Sequence, residues 1–151
     1  MTSFRGFFLL ILLVVFSVTG CVDIKQPYRQ VTYYTLEYQP PEFPGLDPVP
    51  VTVRVQDFTT SPAYDTERLI YRDTSYARNA YNYHRWRARP GKLVRDFLAR
   101  DLTRSGLFKA VVQGSNVGRA DYLLEGSVEE FLEWDQKGHW EAVMTITATL
   151  L

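Results

Sequence analysis

The cleanest alternation of apolar and polar residues is Val51-Thr52-Val53-Arg54-Val55-Gln56-Asp57-Phe58, which places Val51, Val53 and Val55 on one face and predicts a central strand. The same period of two, rich in aromatic and β-branched residues, marks Tyr33–Tyr38, Leu69–Arg72, Ser75–Tyr83, Phe108–Val112, Tyr122–Trp134 and Trp140–Leu151. Ser75–Tyr83 is expected to pair with Leu69–Arg72, through an Asp73-Thr74 turn that lacks the glycine of the tightest hairpins. Gln39 to Pro50 cannot be a strand, because its prolines fix φ and donate no hydrogen bond. At Pro90 the period changes to that of a helix: Leu93, Val94, Phe97, Leu98 and Leu102 form one stripe, Pro90 suits the first turn and Gly106 suits the stop. The resulting order, β-β-β-β-α-β-β-β, predicts an α+β domain in which one amphipathic helix (about 90–105) covers a mostly antiparallel sheet.

The N-terminus follows neither period. Arg5 precedes an apolar run from Phe7 to Phe16, too short to cross a hydrocarbon core of about 30 Å but right for the h-region of a secretory signal peptide. The run ends on Val18-Thr19-Gly20-Cys21, which resembles the bacterial lipobox, and Cys21 is the only cysteine. The resemblance implies that residues 1–20 are a lipoprotein signal peptide and that the Cys21 thiol is diacylated, with small Thr19 and Gly20 giving a peptidase access. Two acyl chains anchor firmly where one holds only marginally. Residues 21–31, polar and aperiodic, read as a lipidated tether, and 32–151 as one domain. Val22, rather than aspartate, follows the acylated cysteine, which favours the outer membrane.

Cleavage leaves 16 basic against 17 acidic residues, so global charge draws the protein to neither nucleic acid nor anionic lipid. The distribution is uneven. Residues 68–104 carry ten Arg/Lys against three acids, and residues 121–141 carry seven acids against Lys137. On separate faces, these segments would complement one another between copies, making a homo-oligomer possible. The last strand runs to Leu150-Leu151 with no turn or polar tail, which leads us to expect a sheet cut short at the C-terminus.

Catalytic patterns are poor. His84 and His139 stand 55 positions apart without metal-ligand spacing, so no metal and no cofactor is expected. The serines form no nucleophile elbow, and Gly114-Ser-Asn-Val-Gly118 lacks the lysine of a phosphate loop. An exported hydrolase would have to use Asp65 or carboxylates among Glu129, Glu130, Glu133 and Asp135, which read better as a solvated acidic face. Arginines interleaved with aromatics from Tyr71 to Arg89 could stack on nucleic acid, but export argues against that partner.

Several short pieces then occur in a telling order. They are Tyr34-x-Leu36, Val53-x-Val55, Ala63-Tyr64-Asp65, Ile70-Tyr71-Arg72, Tyr83-His84-Arg85-Trp86 before Pro90, the helix ending Ser105-Gly106-x-Phe108, and Ala120-Asp121-Tyr122 leading to Gly126-x-Val128-x-x-Phe131. With the lipobox in front, this order resembles the ABC-type transport auxiliary lipoprotein family, the PqiC-like proteins. The resemblance implies a non-catalytic periplasmic lipoprotein that serves a transporter of ATPase, permease and mammalian-cell-entry-type substrate-binding protein, moving lipids or other hydrophobic molecules across the envelope. It also implies a further strand and helix beyond residue 151. Tyr71, Arg72, Arg85 and Trp86 are the candidate partner-binding or structural motif, with Trp86 expected to be structural, packed near the helix start against Leu93 or Phe97. The competing reading is an envelope-assembly or cell-wall-enzyme-activating lipoprotein.

Overall fold

The computed structural model describes residues 28–114, 118–136 and 138–151. Residues 1–20, expected to be a signal peptide, with the expected lipobox residues Val18, Thr19 and Gly20, and Cys21 lie outside the described residues. Among the described residues eight strands and one helix follow in the order β1 (Thr32–Tyr34), β2 (Val49–Val55), β3 (Thr59–Thr60), β4 (Arg68–Arg72), β5 (Asn79–Trp86), α1 (Pro90–Arg104), β6 (Phe108–Gln113), β7 (Tyr122–Gln136) and β8 (His139–Leu150). The α+β class and the helix agree with the sequence pattern.

The strand directions do not. Of seven strand pairings, β1·β5, β2·β6, β2·β7, β3·β7 and β4·β7 are parallel, and only β4·β5 and β7·β8 are antiparallel. The expectation of a mostly antiparallel sheet is therefore corrected to a mixed, mostly parallel one, curled into a half-barrel. The cause is the 15-residue β7. One of its edges takes β8 in a long hairpin from Gln136↔His139 to Leu124↔Leu150. The other takes β2 at Val53↔Tyr122, β3 at Thr59↔Ser127 and β4 at Tyr71↔Glu133, each in turn and each parallel. Strands that look like consecutive hairpin arms are thus separate arrivals at one spine. A bulge keeps the spine bent: Val128 faces Ile146 and Glu130 faces Thr145, leaving Glu129 as the extra residue.

Helix α1 makes the crossover that brings β6 back parallel to β2. Its stripe buries Val94 and Ala99 against a core of Val55, Phe58, Ile70, Val128, Phe131 and Leu132, with Leu98 and Leu102 partly buried against it, and Leu93 is buried as well. Phe97 instead stacks on Tyr38, ring centroids 5.6 Å apart. Arg89, the N-cap, supplies no side-chain cap. Thr60 of β3 replaces it, its Oγ1 accepting the Gly91 N–H at 3.0 Å. Gly106, at φ 68°, takes the left-handed turn that stops the helix. Among the described residues no helix is long and apolar enough to cross a membrane. Strand β8 pairs with β7 alone and exposes Trp140, Met144 and Leu150.

Candidate interaction surface

Strands β4 and β5 form an antiparallel pair with a wide irregularity: Arg68 faces Arg85, yet Ile70 faces Ala80. The extra length of β5 is held by Arg68, whose guanidinium donates to the carbonyls of Tyr81 (3.2 Å) and Ala80 (3.1 Å) and to Asn82 Oδ1 (2.7 Å). This bulge tips an aromatic row across the sheet. Tyr71 and Tyr81 lie 4.4 Å apart, Tyr81 and His84 meet edge-on at 5.3 Å, and His84 and Tyr34 follow at 5.7 Å. Tyr34 Oη and His84 Nδ1 are hydrogen-bonded at 2.8 Å. At the other end Tyr81 donates to Glu133 Oε1 at 2.8 Å. Burial, and then the adjoining Glu133 carboxylate, push the Tyr81 phenol up to about 12, so it serves as a neutral donor rather than a base.

The four motif residues fall on these strands but do not form one site. Tyr71 joins the aromatic row. Arg72 lies 3.9 Å from the Trp134 ring centroid, and its buried Nε has no hydrogen-bond partner among the described residues, so the ring face supplies its contact. Trp86 meets Phe131 of β7 edge-on at 4.9 Å and packs against the core cluster. Arg85 stands level with Tyr33 of β1. Beside Trp86 opens a cleft of about 270 Å³ lined by Leu69, Ile70, Leu132, Ala142 and Trp140, with Glu133 and Glu141 among its walls. Trp134 and Trp140 were not singled out by sequence reasoning, and Glu133 was read only as part of an acidic face, because only the β4·β7 and β7·β8 pairings bring them to this place.

The residues considered for catalysis are dispersed. Asp65 is paired with Arg89 at 3.0 Å on the surface, Glu129 accepts from Ser127, His139 lies 3.5 Å from Glu141, and His84 belongs to the aromatic row. The described residues contain no group of three or more His, Cys, Asp or Glu that could hold a metal ion.

The fold has relatives among solved structures. The crystal structure of protein XCC0632 from Xanthomonas campestris, of the family DUF330, superposes with a TM-score of 0.72 at 22% identity, covering 80% of this chain and 68% of that one. A second crystal structure, of an uncharacterized protein, gives 0.55 at 13% identity and 80% of each chain. No curated protein shows significant similarity. The family model of the ABC-type transport auxiliary lipoprotein component matches residues 34–151. That match spans β4, β5, the helix and the whole β7 spine, and by it the chain belongs to the family of auxiliary lipoprotein components of ABC-type transport systems.

Proposed function

We propose that this lipoprotein is anchored through acylated Cys21, faces the periplasm from the outer membrane, and serves as a non-catalytic auxiliary to a transporter that moves lipids or other hydrophobic molecules between the two membranes. The observation that carries the reading is the family match over residues 34–151 behind a Val-Thr-Gly-Cys lipobox. The surface geometry is consistent with a binding role. Its polar groups hold one another in place: Tyr81 is engaged by Glu133, Arg72 by Trp134 and Asp65 by Arg89. Aromatic rings with polar tips are the groups enriched where proteins meet partners. The partners proposed are an ATPase, a permease and a mammalian-cell-entry-type substrate-binding protein.

Co-purification of the tagged full chain from crosslinked envelopes tests this. Recovery of the three transporter components supports the assignment. Recovery of a cell-wall synthase in their place would establish the envelope-assembly alternative.

A further inference from the structure

Tyr28, Tyr33 and Tyr83 are 92%, 55% and 39% exposed, a large aromatic area left to water at one end of the sheet. Strands β1 and β5 run parallel with Tyr33 level with Arg85, so these side chains leave the sheet on one face, while Tyr34 and Trp86, the next pair, leave on the other. The Arg29 guanidinium lies over the Tyr83 ring at 5.5 Å from its centroid. Arg87 follows, exposed, with its backbone N–H bonded to the Tyr34 carbonyl at 2.8 Å. Among the described residues Arg29, Arg85 and Arg87 have no carboxylate partner, whereas Arg89, Arg95 and Arg100 each have an aspartate. The buried Arg85 Nε has no hydrogen-bond partner there either.

The second observation is reach. Only six residues separate Cys21 from Tyr28, and the seven chain steps span at most about 25 Å when fully extended. With Cys21 acylated, the reading on which this inference rests, the chain enters the sheet at Thr32 close above the headgroups. We infer that the Tyr33, Tyr83, Arg85 and Arg87 face of β1 and β5 docks on the headgroup layer of an anionic phospholipid leaflet and orients the domain there. Tyrosine suits that layer because its ring is apolar and its hydroxyl wet. Arginine suits it because a guanidinium forks onto phosphate oxygens, and each basic residue at such a surface strengthens partition about fivefold.

The test reconstitutes the full-length lipoprotein into vesicles of phosphatidylcholine alone or mixed 7:3 with phosphatidylglycerol. A nitroxide is placed at Asn82→Cys beside Tyr83, or at Lys109→Cys on β6 for comparison. In the anionic vesicles, access of an aqueous nickel chelate to position 82 is expected to fall at least about threefold, with no change at 109. High salt, or Arg85→Glu with Arg87→Glu, should restore it. Equal access at position 82 in both lipids overturns the proposal, as does shielding that needs a transporter protein rather than anionic lipid. Mass spectrometry of Cys21 separates the two readings. Should the thiol carry no lipid, flotation of the same chain with the same vesicles still decides: preference for anionic vesicles, weakened about 25-fold or more by the double reversal, sustains docking, and no preference refutes it.

Discussion

Replacing Gly91 by alanine sets two principles against each other. Gly91 is in the first turn of α1, where alanine is intrinsically better by about 0.8–1 kcal/mol. A Cβ there, however, would lie 2.1 Å from the Phe58 carbonyl oxygen and 2.8 Å from Thr60 Oγ1. The carbonyl would have to retreat by at least about 1.3 Å to reach the 3.4 Å of ordinary contact, and it is backbone. Nor can Phe58 move easily, since its ring is buried and already fills the space over Gly126, where a Cβ would meet its Cε1 at 2.6 Å. Overpacking of this kind costs about 1–3 kcal/mol, and separating α1 from β3 also loses the Thr60 cap, about 1 kcal/mol more. After the propensity gain, the net expectation is a loss of about 1–3 kcal/mol. Urea unfolding followed by tryptophan fluorescence should show a lower midpoint at unchanged slope, with Thr60→Ala alone costing about 1 kcal/mol. A Gly91→Ala midpoint at or above the parent's would refute the claim that helix and sheet are locked at Phe58.

Trp86→Ala should lower stability by about 2–4 kcal/mol in the same assay, because it vacates the edge of Phe131 and one wall of the cleft; an unchanged midpoint with lost partner binding would reassign Trp86 to the interface. The Tyr81 phenol rises from 10.0 to about 12 on folding, so the native state holds the proton that the unfolded chain releases; its stabilisation is whole below pH 10 and lost as pH climbs through 12, and absorbance titration should show a late phenol that disappears in Tyr81→Phe. Thr149→Lys places a charge on the β8 edge, opposite Glu125, and should raise solubility while changing stability by less than about 1 kcal/mol; greater light scattering than the parent would count against the edge as the sticky surface. Self-association is expected to be insensitive to salt, and dissociation at high salt, or on charge reversal at Arg95 or Glu130, would contradict that.

Local signals carried the elements and long-range pairing carried the topology. The α1 stripe and its stop at Gly106 are written in neighbouring residues, and so is β2, whose start at Val49 takes in Pro50 only because the ladder to β6 is irregular between Val49 and Thr52. Strand β5 extends to Trp86, beyond the Tyr83 expected from alternation, because β1 pairs with it at His84, Arg85 and Trp86. Strand β3 is two residues long and owes its existence to β7, so no periodicity could announce it. The parallel directions have the same origin. Alternation tells which face a residue takes but says nothing of which distant strand will lie alongside.

Charge gives the clearest case of a pattern that was visible but misleading. The basic run over 68–104 and the acidic run over 121–141 suggested two faces, yet β4 lies directly beside β7, with Tyr71 opposite Glu133 and Arg72 over Trp134. The helix arginines find Asp57, Asp96 and Asp101 within the domain. These pairs engage Arg95 and Arg100 within the domain, leaving fewer basic groups of the 68–104 run for a head-to-tail contact between copies. Among the basic groups without a carboxylate partner in the described residues, Arg29, Arg85 and Arg87 gather where the chain enters the sheet at β1. The imbalance counted along the sequence thus resolves into arginines paired locally with Asp57, Asp65, Asp96 and Asp101, and one basic, tyrosine-bearing end. Only the pairing of β1 with β5 shows that this end lies beside the tether from Cys21.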